Sequence, residues 1–227
     1  MNNDISPAHR TRIKLCGLRT PEAIAQAIAL GVDAIGLVFY PPSVRSVSVA
    51  QAVELTRGVL PFVSVVGLFV NAEPQWVDEV TRAVPLTLMQ FHGDETPQQC
   101  AALAARARLP WLRALRVDDG TRPADLIESA HHYSSASALL FDTHVDGYGG
   151  GGKVFNWSVI PAGLAHRAVL SGGLNAQNVG DAIAQVRPYA VDVSSGIETP
   201  GAKGVKDFAR MAAFVRAVRD ADGSCGR

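Results

Sequence analysis

Two side chains that can exchange protons stand at the ends of apolar segments. Cys16 ends the run TRIKLC (11–16) and is followed at once by a glycine, and Asp142 ends the run SALLFD (137–142). Alternation along an extended segment places Lys14 on the same face as Cys16, and a nearby ammonium favours the thiolate form of a cysteine. The pattern predicts a base or nucleophile at Cys16 and a functional carboxylate at Asp142. The alternatives are a packed thiol and a carboxylate that only caps the next turn.

Two glycine turns are candidates for an anion site. SGGLN (171–175) and SSGIE (194–198) each follow a short apolar run near the end of the chain. Glycine lets backbone N–H groups approach an anion closely, and the N-terminus of a following helix favours negative charge. One Gly-Gly turn alone is weak evidence, because tight turns commonly need glycine. Two such turns after successive strands favour a phosphate site.

Three more polar residues lie where apolar runs end, and each has a plain structural alternative. Arg45 lies in YPPSVRSV, whose two prolines stiffen the loop, but a solvated surface arginine is the alternative. His92, in MQFHGDE, is either functional or a histidine at the edge of the core that the backbone satisfies. Asp192, in YAVDVSS, is either functional or an anchor for the phosphate turn.

The glycine-rich run GYGGGGKV (147–154) resembles a nucleotide P-loop in part. Val154 follows the lysine where a P-loop has the Ser or Thr that holds magnesium, and no long helix follows. A nucleotide P-loop is therefore rejected. We expect a mobile lid over residues 147–153 that closes over bound substrate.

The elements that must position these residues alternate regularly between strand and helix. Strands are predicted at 11–16, 32–39, 62–70, 86–91, 111–117, 137–142, 167–172 and 189–195, and helices at 20–31, 48–58, 73–84, 96–108, 122–133, 175–187 and 205–221, with a short helix near 157–165. Eight such units without a linker-like break predict an α/β fold, a single-domain (β/α)8 TIM barrel over 12–221. An open doubly wound sheet is the alternative. Residues 1–11 are predicted to be disordered or loosely packed, and 222–227 a frayed tail.

Composition excludes several classes of function. Lys+Arg and Asp+Glu both number 21, which favours neither a nucleic-acid nor a membrane partner. The polar start lacks the apolar core of a signal peptide, and no apolar run approaches the ~18 residues of a membrane span. Three widely spaced cysteines argue against a disulfide framework or a zinc site. A reducing cytoplasm is the simplest compartment.

The set of strand-end motifs resembles the phosphoribosylanthranilate isomerase family. It consists of KLCGL, FYPPSVRSV, QFHGDE, LLFDT, GGGGKVFNW, LSGGLNAQNV and VDVSSGIE, in the family's order from about Arg12 to the last helix. The set is specific, although no single motif is. One departure is Asn156, where the family usually has the aspartate of FDW. That difference concerns the packing of the lid more than the chemistry.

The resemblance implies an Amadori rearrangement in tryptophan biosynthesis. The substrate would be N-(5-phosphoribosyl)anthranilate, and the product 1-(2-carboxyphenylamino)-1-deoxy-D-ribulose 5-phosphate. By resemblance, Asp142 would be the general acid that opens the ribose ring and Cys16 the base that removes the C2 proton. The remaining residues implied are those that bind substrate: Arg45 for the anthranilate carboxylate, His92 and Asp192 in the pocket, and Gly172, Gly173, Ser195 and Gly196 for the phosphate. No cofactor or metal is implied, and the chain is expected to be a monomer or homodimer.

Other functions fit parts of the pattern. A related barrel of histidine biosynthesis performs the same rearrangement on a larger bis-phosphorylated substrate, but that family typically has an aspartate where this chain has Cys16. A non-catalytic phosphosugar-binding barrel would keep the phosphate turns without turnover. A flavin-dependent barrel oxidoreductase would also use those turns, and its purified protein would be yellow.

Overall fold

Eight parallel strands form a closed barrel in a computed structural model that describes residues 10–143 and 154–225 of the chain. The strands pair in chain order, and β8 closes against β1. Their bounds are β1 Arg12–Cys16, β2 Ala34–Val38, β3 Ser64–Phe69, β4 Leu88–Phe91, β5 Trp111–Val117, β6 Ala138–Thr143, β7 Ala168–Leu170 and β8 Ala190–Val193. The predicted (β/α)8 barrel is confirmed, and the open sheet is excluded.

Seven α-helices alternate with these strands in the described part of the chain. They are α1 Pro21–Ala29, α2 Val49–Thr56, α3 Pro74–Ala83, α4 Pro97–Ala107, α5 Pro123–His132, α6 Val179–Val186 and α7 Phe208–Cys225. After β6 the short helix expected near 157–165 is instead two 3-10 turns, Trp157–Val159 and Ala162–Arg167. Pro161 between the turns has no N–H to continue a helix, which explains the break.

Local sequence explains where the helices begin. Thr20, Ser48 and Thr96 each accept a hydrogen bond at a helix N-terminus from the backbone N–H three residues later. Helix α6 begins at Val179, four residues later than predicted. The Asn175 side chain accepts hydrogen bonds from the backbone N–H groups of Gln177 and Asn178, and this turn delays the helix.

The core has two parts, because successive strand residues point to opposite sides of the barrel wall. Outward residues such as Leu15, Ile35 and Leu37 are fully buried under the helices. Inside the barrel a separate cluster of apolar side chains fills the end where the strands begin: Leu112, Ala114, Leu140, Val169 and Ala190. Lys14, Asp142 and Asp192 share the inward face and lie beyond this cluster, towards the end where the strands finish.

Hydrogen bonds join the residue before the first strand to the last helix. Asp222 in α7 accepts hydrogen bonds from the backbone N–H of Thr11 at 2.9 Å and from its hydroxyl at 2.7 Å. Helix α7 continues through Cys225, so residues 222–225 are helical where a frayed tail was predicted. No helix in the described ranges is long and apolar enough to cross a membrane.

Candidate active site

A buried ion pair stands beside Cys16 at the carboxyl end of β1. Lys14 Nζ lies 2.9 Å from Asp192 Oδ2 on the neighbouring strand β8, and both side chains are buried. The other carboxylate oxygen, Asp192 Oδ1, is buried and has no hydrogen-bond partner among the described residues. Lys14 is close enough for its charge to act on the Cys16 thiol. The predicted shared face of Lys14 and Cys16 is therefore present.

The electrostatic effect on Cys16 differs from the expectation. Burial raises the pKa of the Cys16 thiol, and the Asp192 carboxylate raises it further. The charges of Lys14 and Lys206 oppose that rise but do not outweigh it. Burial would also lower the pKa of Lys14, yet Asp192 and Cys16 hold it above its usual value. Burial therefore favours the thiol form of Cys16, while the charges of Lys14 and Lys206 favour a thiolate formed there.

A second buried pair lies at the ends of β4 and β6. His92 Nε2 is 3.2 Å from Asp142 Oδ2, and the Asp142 Oδ1 atom accepts the backbone N–H of Thr143 at 2.9 Å. His92 is not satisfied by backbone as the structural alternative proposed; its Nδ1 faces the side-chain amide of Gln90 at 3.0 Å. Both His92 and Asp142 are at least 90% buried. The carboxylate of Asp142 and the imidazole of His92 therefore form a buried pair.

Arg45 is buried, which excludes the solvated surface arginine. Its guanidinium donates from Nε and Nη2 to the two carboxylate oxygens of Glu198, at 2.6 and 3.0 Å. Lys206 Nζ reaches the same carboxylate at 3.1 Å and also donates to the backbone oxygen of Ser194. Burial would raise the pKa of Glu198, but the two cations hold it below its usual value. Burial lowers the pKa of Lys206 despite Glu198.

Arg45, Lys206 and Glu198 together carry two positive charges and one negative charge. They lie beside the mouth of the barrel, the end at which the strands finish. The cluster is connected to the base candidate, because the Ser194 hydroxyl donates to the Cys16 backbone oxygen at 3.1 Å. Gly17 packs against Arg45, and a Cβ there would lie 2.8 Å from Arg45 Cδ. The surplus positive charge is suited to a carboxylate ligand.

The two glycine turns lie side by side after β7 and β8. Gly172 and Gly173 both have positive φ, 80° and 65°, a conformation that glycine adopts without strain. A Cβ on Gly196 would overlap the backbone oxygen of Leu174, so the second turn packs directly on the first. Ser195 and Gly196 belong to the 3-10 turn Ser195–Ile197, and α6 follows the first turn. The two turns therefore lie against one another at one edge of the barrel mouth.

The structure adds polar residues that the sequence pattern did not single out. Gln90 on β4 faces the same side of the barrel wall as His92, which follows two residues later. This spacing is the signal in the sequence from which Gln90 could have been predicted. Glu198 and Lys206 come together only because the chain after β8 folds back, with a bridge between Glu198 and Lys206.

The expected lid, residues 147–153, lies outside the described residues. Beyond it, Asn156 Oδ1 accepts from the backbone N–H and hydroxyl of Ser158 and caps the first 3-10 turn.

The chain is similar over most of its length to one protein family. The family model for N-(5'-phosphoribosyl)anthranilate isomerase matches residues 13–217. A Ralstonia nicotianae protein named N-(5'-phosphoribosyl)anthranilate isomerase is 60% identical over 229 residues, covering 97% of each chain. The crystal structure of phosphoribosyl anthranilate isomerase from Thermotoga maritima is similar, with a TM-score of 0.82 and 38% identity over 92% of this chain and 99% of that one. A further phosphoribosyl anthranilate isomerase structure, in complex with reduced 1-(o-carboxyphenylamino)-1-deoxyribulose 5-phosphate, has a TM-score of 0.79 and 35% identity over the same shares.

Proposed function

The chain belongs to the N-(5'-phosphoribosyl)anthranilate isomerase family, and we propose that Cys16 and Asp142 are the base and acid of its reaction. The enzyme converts N-(5-phosphoribosyl)anthranilate to 1-(2-carboxyphenylamino)-1-deoxy-D-ribulose 5-phosphate in tryptophan biosynthesis. The observation that carries the residue assignment is the placement of two proton-transferring groups on β1 and β6, each beside a buried partner. They approach the barrel mouth from strands three places apart.

The two groups would divide the proton transfers between them. Asp142 gives a proton to the ribose ring oxygen as the bond from that oxygen to C1 breaks, which leaves a Schiff base between C1 and the anthranilate nitrogen. Cys16 then removes the proton from C2, and the Schiff base takes up the electron pair to form an enaminol. Transfer of the C2 hydroxyl proton to Asp142 and protonation of C1 by the Cys16 thiol give the ketone and restore both groups. No atom is gained or lost, as isomerisation requires.

The ion pairs beside Cys16 support its role as base. A thiolate formed there is stabilised by Lys14 and Lys206, whose charges both lower the pKa of the thiol. The unpaired Asp192 Oδ1 is a buried acceptor at the same site, and a substrate hydroxyl would satisfy it. A hydroxyl held by Asp192 would place the sugar chain beside Cys16.

Substrate charge supports the assignment of the binding groups. Glu198 occupies Arg45 Nε and Nη2, which leaves Nη1 as a donor for the anthranilate carboxylate. His92 would line the pocket beside Asp142. Gly172, Gly173, Ser195 and Gly196 would hold the phosphate through backbone N–H groups. Two anionic ends bound at separate places would fix the reacting carbons between Cys16 and Asp142.

The test uses Cys16→Ala, Cys16→Ser and Asp142→Asn, assayed with freshly made phosphoribosylanthranilate by the loss of its fluorescence. Each variant should lose about 10²- to 10⁴-fold in kcat, because each removes one proton-transferring group. Affinity for the product should persist, because the anchors remain. The matched control is Cys100→Ala, since Cys100 is a buried thiol whose pKa burial raises to about 12. Wild-type turnover by Cys16→Ala would mean that the thiol only packs, with Asp192 the next candidate for the base.

Compartment and assembly are part of the same proposal. The buried free thiols Cys16 and Cys100 suit a reducing cytoplasm, which cell fractionation tests. The assembly is a monomer or homodimer, and sedimentation equilibrium distinguishes the two. No nucleic-acid partner is proposed, given the balanced charge.

A further inference from the structure

Glu198 holds one edge of the Arg45 guanidinium through two parallel hydrogen bonds. Its carboxylate oxygens accept from Nε at 2.6 Å and from Nη2 at 3.0 Å. Neither side chain is more than 7% exposed, so water does not compete for these bonds. Two parallel hydrogen bonds between planar groups determine the orientation of the guanidinium as well as its position. The orientation of Arg45 therefore depends on Glu198.

The carboxylate of Glu198 is itself held in place by the chain that follows β8. That chain folds back on itself, and the backbone N–H of Thr199 donates to the backbone oxygen of Val205 at 2.9 Å. Lys206 Nζ then reaches Glu198 Oε1 at 3.1 Å and donates to the backbone oxygen of Ser194 at 2.9 Å. These contacts fix the carboxylate before any ligand binds.

The opposite edge of the guanidinium is the part available to a ligand. A guanidinium has five N–H donors, and Glu198 takes one from Nε and one from Nη2. Nη1 and the second N–H of Nη2 therefore form another fork, which matches a second carboxylate. The stem of Arg45 lies against Gly17, where a Cβ would be 2.8 Å from Arg45 Cδ. Because Gly17 follows Cys16, that fork belongs to the side of the mouth that holds the base candidate.

We propose that Glu198 is a positioning residue that gives the enzyme its preference for a carboxylate on the aromatic ring of the substrate. Glu198 does so by orienting Arg45, without touching the substrate itself. The inference rests on the proposed role of Arg45 as the anchor of the anthranilate carboxylate. It extends that role, because it assigns the selectivity to the pair rather than to the arginine alone.

Orientation and simple attraction between charges predict opposite effects of removing the Glu198 charge. Arg45 and Lys206 carry two positive charges and Glu198 one negative charge, which leaves a single positive charge. Without the charge of Glu198 the cluster becomes more positive, so attraction alone would strengthen the binding of an anion. If orientation dominates, the same change weakens it.

The test measures the affinity of wild-type and variant enzymes for two ligands by titration calorimetry. One ligand is the product with its ketone reduced to an alcohol, and the other is the same compound without the ring carboxylate. The ratio of their Kd values is the carboxylate preference. Glu198→Gln should lower that preference about tenfold, because the amide turns an N–H group towards one of the two guanidinium donors. The Kd of the ligand without the carboxylate should stay within about threefold of wild type, which also shows that the variant is folded.

Glu198→Asp repeats the test with the charge kept. Its side chain is shorter by one CH₂ group, so the two oxygens no longer match Nε and Nη2, and the preference should again fall about tenfold. Glu95→Gln is the matched control, because it breaks another buried glutamate–arginine pair, with Arg113 at 2.7 Å. That control should keep the preference within about twofold of wild type.

Arg45→Met separates this inference from the proposed role of Arg45. If Arg45→Met keeps the wild-type preference, Arg45 does not bind the ring carboxylate and that assignment fails. If Arg45→Met loses the preference but either Glu198 variant keeps or increases it, attraction between charges is sufficient and the inference alone is wrong. An equal loss in Glu95→Gln would also overturn the inference, because breaking any buried pair would then be enough. Loss in both Glu198 variants with an unchanged Glu95→Gln supports both assignments.

Discussion

Gly36 decides where the sulfur of Cys16 lies. It is the partner of Cys16 across the ladder between β1 and β2, and both residues point into the barrel. A Cβ built on Gly36 would lie 2.7 Å from Cys16 Sγ and 3.1 Å from Cys16 Cα. Gly36→Ala must therefore turn the thiol away or push β1 aside.

The size of the displacement follows from the contact distance. Non-bonded heavy atoms prefer about 3.5–4.0 Å, so the sulfur must retreat by about 1 Å. A misplacement of about 1 Å at a reacting group costs on the order of 100-fold in rate. We expect Gly36→Ala to lose about 100-fold in kcat, with KM nearly unchanged because the phosphate turns and Arg45 are not touched.

The assay is the fluorescence decay of phosphoribosylanthranilate at several substrate concentrations, with circular dichroism to confirm folding. Gly67→Ala on β3 is the matched control. A Cβ at Gly67 would also make a close contact, 2.5 Å from Leu86 Cδ1, but this contact lies away from the Cys16 thiol. That variant should lose stability and keep kcat. A folded Gly36→Ala enzyme with kcat within about twofold of wild type would refute the argument that the position of Sγ limits the rate.

Three further predictions concern charge, the phosphate turns and stability. Lys14→Met removes a charge that lowers the pKa of Cys16, so the limb of the kcat/KM profile that rises with pH should move to higher pH. If that limb does not move, Lys14 is not the cation that lowers the pKa of the base. Gly173→Asp should raise KM about ten- to hundredfold by repelling the phosphate, whereas Gly173→Ala shares the backbone strain without the charge and should raise it far less. Equal KM values for the two would contradict the phosphate site. Asp222→Ala leaves the buried Thr11 donors unpaired and should lower the free energy of unfolding by about 1–3 kcal/mol in urea titrations, whereas Asp220→Ala should not.

The order of strands and helices and the candidate chemistry were predictable from local pattern. Apolar runs and helix-start signals such as Thr20 and Thr96 depend on residues that are neighbours in the chain. Boundaries were wrong where side chains make local turns, as at Asn175, or where proline interrupts a helix, as at Pro161. Strand-end positions also marked Cys16 and Asp142, because a parallel barrel brings the ends of all its strands to one face.

The sequence by itself determined the barrel, the strand on which each candidate lies and, through Lys14 and Cys16, one shared face. Only the tertiary structure decided which side chains are partners. Asp192 pairs with Lys14 and Glu198 pairs with Arg45, and both Gln90 and Asp142 contact His92. It also decided that burial raises the pKa of Cys16 although a cation stands beside it. Alternation says which way a side chain points, but burial and pairing depend on strands that closure of the barrel brings together from distant parts of the chain.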